Sequence, residues 1–212
     1  MAKKKPEAKT QKVESLPVWM SDVMQGICYW MGHRRAYYRH HDLVEGAIVG
    51  ELANLIHANI GLDDQLSCEV PYKSLIKDFV PGAPYSERLD LLIKEKSASG
   101  EEKLTAIEVK RGKAAPSLVL EDIMSLSILK DIRPDISTFV LIVCENKLPT
   151  NTPWIAADED GTSRITANTK IMPMFTGHGH LIGHVKVRRV CKALASLKPK
   201  AGHTAILIEV LS

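Results

Sequence analysis

The chain has 212 residues, 45% of them hydrophobic and 25% charged, the balance of a soluble globular protein with room for one fully cored domain. No apolar run approaches the roughly 18–20 residues of a membrane-spanning helix, and no apolar stretch follows the positive start MAKKKPEAKTQKVES, so the protein reads as cytoplasmic. With 28 basic and 25 acidic residues the net charge is +3, and the four cysteines are too scattered for a disulfide framework.

Residues 1–15 read as a flexible basic tail carrying Lys3, Lys4, Lys5, Lys9 and Lys12, which leaves 16–212 as the domain. Trp19, Val23, Ile27, Trp30 and Met31 recur at helical spacing, and Pro17 suits a helix start. In GHRRAYYRHH, the residues Arg34, Arg35, Tyr37, Tyr38 and Arg39 are candidate nucleic-acid contacts, whereas Trp19 and Trp30 are core residues first. His40 and His41 read as a helix entry. A second helix is predicted from His41 or Asp42, with Asp42 as N-cap, Glu45 three residues later as in a capping box, and Gly61 as the stop.

QLSCEVPY is a short alternating strand, and VPGAPYSE is rich in turn residues. RLDLLIKEK and KLTAIEVKRG then form two strands joined by the turn SASGEE. A helix is predicted from about Ser117 to Ile132, its period set by Val119, Ile123, Leu126 and Leu129 or Lys130, with Pro134 just past its end. ISTFVLIVCEN is the most hydrophobic strand, hence central, and Cys144 within it reads as a reduced core thiol.

The polar stretch KLPTNTPWIAADEDGTSRITANTK reads as a long loop. HVKVRRVCKALASL is expected to be a strand running into a helix, and HTAILIEVL a final strand. Lys186, Arg188, Arg189, Lys192, Lys198 and Lys200 make this end basic. His178, His180 and His184, followed by Cys191, have a spacing that zinc tolerates, but their glycine-rich neighbours favour a turn.

Three charges break the apolar pattern of the paired strands: Asp90 in RLDLLI, and Glu108 and Lys110 in AIEVKRGK. Glu108 and Lys110 are two apart and share a strand face, with Ile107 and Val109 on the other. Buried charges are costly without partners. The plain explanation is a cross-strand ion-pair network on a half-exposed sheet, and Lys94, Glu95 and Lys96 are ordinary surface charges nearby. Against it, the three charges lie inside the strands rather than at their ends. If the strands pair, Asp90 and Glu108 approach one another, and two close carboxylates both stay ionised only with a cation between them. Hard oxygen ligands suit Mg²⁺ or Mn²⁺, which polarises a phosphodiester, while Lys110 orients or deprotonates water or neutralises the developing anion.

Asp90 followed 18 residues later by Glu108-Val109-Lys110 resembles the D…(D/E)-x-K signature of the PD-(D/E)XK nuclease superfamily, and Arg88 two before the acid is also similar. The resemblance spans roughly residues 41–146, about half the chain. The proline that names the family is not beside Asp90; Ser86-Glu87 occupy the approach, with Pro84 a little earlier. The resemblance implies an α/β single domain: a mixed central β-sheet flanked by helices, with an αβββαβ restriction-endonuclease-like core, an N-terminal helix and C-terminal β/α additions. It implies a Mg²⁺-dependent (or Mn²⁺-dependent) deoxyribonuclease in which Asp90 and Glu108 hold the metal and Lys110 assists the attacking water.

Members often add an acid on the helix before the sheet, where Glu45 and Glu51 compete. At about 100° per residue, Ile48, Val49, Leu52, Leu55 and Ile56 form an apolar face centred near Glu45, so Glu45 takes the role and Glu51 points aside. Glu69 reads as a surface residue of an edge strand. Arg111 and Lys113 are phosphate candidates, and Asp122, Ser125 and Lys130 are unresolved candidates on the following helix. The expected partner is DNA, held by the basic segments at both ends, with RNA left open and no membrane. A homodimer, or partner proteins in a defence or DNA-processing system, are compatible with this. The competing class is a non-catalytic nucleic-acid-binding or assembly module on the same fold.

Overall fold

The structure, a computed structural model, describes residues 15–37, 43–76, 87–97, 100–145, 169–171, 183–194 and 202–211. The elements run α1 (Met20–Tyr37), α2 (Glu45–Asn59), β1 (Gln65–Pro71), the single-turn α3 (Tyr72–Leu75), β2 (Arg88–Lys96) and β3 (Glu102–Arg111). They continue with α4 (Pro116–Ile132), β4 (Ile136–Cys144), β5 (Thr169–Ile171), β6 (Gly183–Leu194) and β7 (Gly202–Leu211). Among the described residues, seven strands form one mixed sheet in the order β1-β2-β3-β4-β7-β6-β5. Only β3 and β4 pair in parallel, and α4 is the crossover that a parallel connection demands.

Alternation along the strands sorts side chains into two cores. Ile107, Val109, Phe139, Leu141, Val143, Ala205 and Leu207 face α1 and α2, packing on Val23, Ile27, Met31, Ile48, Leu52 and Ile56. Ala106, Val140, Ile142, Ile206, Ile208 and Val210 face the opposite way and pack on Val119, Ile123, Leu126 and Leu129 of α4. β4 is buried on both faces and lies fourth of the seven strands, as its unbroken apolar run predicts. Cys144 is a buried free thiol whose pKa burial pushes up to about 12. No helix among the described residues is long and apolar enough to cross a membrane.

Several expectations need correction. α2 begins at Glu45, its N-cap is Val44, and no side chain caps it. Glu45 therefore stands at the first helical position, too early to close a capping box, and its carboxylate turns elsewhere. The strand expected through Tyr72 stops at Pro71, which has no N–H to donate, and Tyr72 opens α3 instead. HVKVRRVCKAL does not run into a helix: β6 stays extended to Leu194 and pairs with β7 from His184↔Leu211 to Leu194↔Gly202. A register shift between Val187 and Arg189 breaks its alternation, which hid the strand period. After α4 the described residues hold strands only, so the helical part of the expected C-terminal addition is not among them. The tail up to residue 14, Tyr38, Arg39, His40, His41, Asp42, His178, His180, Lys198 and Lys200 lie outside the described residues, as does most of the polar stretch from 147 to 170.

Candidate active site

β2 and β3 pair as far as Leu91↔Ile107 and then part: β2 stays with β1, and β3 stays with β4. Asp90 and Glu108 flank that fork. Where the ladder ends, the Val109 N–H loses its carbonyl partner and donates to Asp90 Oδ2 at 2.7 Å instead. The Asp90 side chain thus replaces a strand at the point where the strand leaves. Across β1, Glu69 sits opposite this position with a left-handed φ of 53°, a strained conformation for a residue with a Cβ.

The Glu108 side chain is 1% exposed, and Oε1 accepts a 2.7 Å hydrogen bond from the phenol of Tyr72, itself 1% exposed. Asp90 and Glu108 lie close enough for each to shift the other's pKa. Burial, and then the negative Asp122 and Asp90, push the Glu108 pKa up to about 9, against the opposing pull of Tyr72 and Lys110. Asp90 is raised by burial, partly offset by the Val109 N–H and Lys110. The phenol of Tyr72 is driven upward by burial and the adjacent Glu108.

Lys110 leaves β3 on the same face as Glu108. Its Nζ lies 3.0 Å from Asp122 Oδ2 on α4 and 3.2 Å from Glu45 Oε1 on α2. The Asp122 approach is too oblique for a good hydrogen bond, so Oδ2 is buried with an ion-pair partner but no aligned donor. Burial lowers the Lys110 pKa, but Asp122, Glu45 and Asp90 together outweigh it and raise the pKa above its ordinary value. Asp122 is pushed up to about 7 by burial, with Lys110 pulling it down. The second Glu45 oxygen accepts the Arg111 N–H at 3.1 Å, which fixes the start of α2 to the exit of β3. Immediately beyond, Gly112 passes Cys144 so closely that a Cβ there would lie 2.5 Å from Sγ.

The structure therefore brings together Glu45, Asp90, Glu108 and Lys110, the four residues singled out from the sequence. Glu45 touches Lys110 rather than the Asp90–Glu108 pair. Among the α4 candidates Asp122 joins the cluster. Ser125 instead donates to Glu121 O, and Lys130 donates to Pro134 O and Ile136 O, tying the helix end to β4. Glu51 stays on the partly exposed flank of α2, and Glu69 is exposed on the edge strand. Tyr72 was missed; its only signal is an aromatic residue bearing a hydroxyl, placed directly after a strand-ending proline.

Among the described residues, no group of three or more His, Cys, Asp or Glu side chains is placed to hold a metal ion. The Asp90–Glu108 pair still fits a hard divalent cation of the Mg²⁺ type, which takes one or two protein carboxylates and fills the rest of its shell with water and substrate oxygens. Burial and the neighbouring Asp122 and Asp90 raise the Glu108 pKa, which favours its neutral, protonated form when no cation is bound. The zinc alternative falls on His178 and His180, which lie outside the described residues. No protein-family model, curated protein or solved structure matches this chain.

Proposed function

We propose that the protein is a Mg²⁺- or Mn²⁺-dependent deoxyribonuclease of the cytoplasm, built on a restriction-endonuclease-like core and related to the PD-(D/E)XK superfamily. One observation carries this reading: the buried carboxyl of Glu108 and the half-buried carboxyl of Asp90 lie together at the fork between β2 and β3, with Lys110 on the same face as Glu108. The order α2-β1-β2-β3-α4-β4, with α3 as a one-turn insertion, supports the proposed core.

Asp90 and Glu108 are the residues that would hold the ion, which when bound supplies Lewis acidity to a phosphodiester oxygen and a lowered pKa to water. The chain's own groups do the rest. The Val109 N–H aims Asp90, and the Tyr72 hydroxyl holds Glu108 by Oε1. Lys110 stays cationic because its carboxylate neighbours raise its pKa. Its role is therefore to orient water and to neutralise charge on the phosphorus oxygens, not to act as a base. Glu45 and Asp122 hold that ammonium in place from two helices on opposite faces of the sheet.

The test is nicking of supercoiled plasmid with Mg²⁺ or Mn²⁺, with EDTA as the blank. Lys110→Ala should abolish cleavage while the circular dichroism spectrum is unchanged. Equal cleavage by the two proteins removes the assignment. The engagement of Lys110 by two carboxylates favours one rival, a non-catalytic DNA-binding or assembly module whose ion pairs only stabilise the fold. Calorimetric titration with Mn²⁺ separates them, because DNA binding without Mn²⁺ uptake selects the module.

A further inference from the structure

We propose that the outer face of α1 is a stacking platform for unpaired bases, a docking surface for single-stranded DNA that leads toward the carboxyl pair. Its role as a substrate guide rests on the nuclease reading; its existence as a binding surface does not.

Tyr29, His33 and Tyr37 recur every fourth residue and so form one ridge along the helix. Tyr29 is 59% exposed and Tyr37 73%, and His33 is exposed between them. The His33 and Tyr37 rings are already neighbours, with centroids 4.7 Å apart and planes tilted by 43°. Beside this ridge the Arg34 guanidinium lies 5.5 Å from the centre of the Trp30 ring, and Arg35 is exposed in the same turn. Isolated aromatic residues on a surface need no explanation. A row of three with two arginines alongside is different, because it pairs π-faces with phosphate-binding cations, the combination that holds single strands irrespective of sequence. From Tyr29 to Tyr37 the helix rises about 12 Å, the length of three or four stacked nucleotides.

The platform points the right way. Arg35, in the last turn of α1, lies near enough to His203 at the start of β7 to reinforce burial in lowering its pKa, against the opposing pull of Glu145. β7 begins beside the end of β4, and Glu45 opens α2 beside the exit of β3. The end of α1 and the start of α2 therefore share the end of the sheet that carries the fork. A base-paired duplex hides its base faces and offers nothing to such a row, so an unpaired strand is the occupant that uses both its rings and its arginines.

The experiment is fluorescence anisotropy of a labelled oligothymidylate spanning the ridge, in EDTA so that binding is read without cleavage. Wild type should bind, and the double variant Tyr29→Ala/Tyr37→Ala should lose about tenfold or more in affinity. Tyr29→Phe/Tyr37→Phe should bind like wild type, since a phenyl ring still stacks. A blunt duplex should bind more weakly and be indifferent to the alanine pair. Unchanged binding by the alanine double variant overturns the platform, as does an equal loss for the phenylalanine pair or for the duplex. Oligonucleotide binding that follows this pattern in a protein that cuts nothing upholds the platform and removes the nuclease. Cleavage with an indifferent alanine pair does the reverse.

Discussion

Glu108→Gln isolates the electrostatic cost at the fork. The amide keeps an oxygen for the Tyr72 hydroxyl and nearly the same volume, but it cannot ionise. In the wild type, Glu108 rises from 4.5 in the unfolded chain to about 9 in the fold, so the folded state binds its proton more tightly. Stability from this group is full below pH 4.5 and is lost as pH climbs through about 9. Each pH unit in that window costs about 1.4 kcal/mol, so the climb from pH 6 to pH 9 costs about 4 kcal/mol. For a domain of this size that lowers the melting temperature by on the order of 10 °C. Thermal unfolding in EDTA should show this decline for wild type and only a small one, from Asp122, for Glu108→Gln. Mg²⁺ should recover wild-type stability at pH 9, do little at pH 6 where a proton competes, and leave Glu108→Gln unmoved. A wild-type melting temperature that is flat from pH 6 to 9 refutes the picture of a proton-holding carboxyl pair.

Asp90→Ala leaves the Val109 N–H without its acceptor and should cost about 1–3 kcal/mol in urea unfolding. Asp90→Asn retains an oxygen acceptor and most of that stability, yet should lose Mn²⁺ binding by calorimetry as fully as alanine does. Tyr72→Phe removes the donor to Glu108 and should weaken Mn²⁺ binding by about 10–100-fold, the usual effect of losing a group that orients a ligand. Gly112→Ala drives a Cβ into Cys144, whose Sγ and Cα would lie 2.5 and 3.0 Å away. It should destabilise the protein by about 1–3 kcal/mol in denaturant titration.

The fork was legible because its information is local. Glu108 and Lys110 sit at strand spacing inside a strongly apolar run, the composition of SASGEE reads as a turn, and the antiparallel register follows from joining the two strands. What was not legible depends on elements far apart in sequence. The Tyr72–Glu108 hydrogen bond spans 36 residues and exists because Pro71 ends β1 and α3 folds the phenol beneath β3. Asp122, Ser125 and Lys130 all look alike on a helical wheel, and only the seating of α4 over β3 puts Asp122 against Lys110. Glu45 was chosen for lying on the apolar face of α2, yet what fixes it is its place at the first position of the helix, facing the exit of β3. In β6 a bulge erased the period-two signal, and its later part read as a helix.

Charge balance separates this cluster from the ordinary ion pairs of the same protein. Lys94 meets Glu102 at the surface, and Arg188 meets Glu209 in the interior, one cation for each anion. At the fork, the Lys110 ammonium pairs with Glu45 and Asp122, and Asp90 and Glu108 lie close enough to feel its charge. A buried site does not sustain such an excess of negative charge, and the shifted pKa values say how it is relieved. Burial raises both Glu108 and Asp122 above the ordinary carboxyl range, so each favours its protonated form more than a solvated acid does. Those protons stand in for up to two positive charges, the charge of one divalent cation. If the proposed divalent cation binds, it supplies the positive charge that those protons otherwise provide.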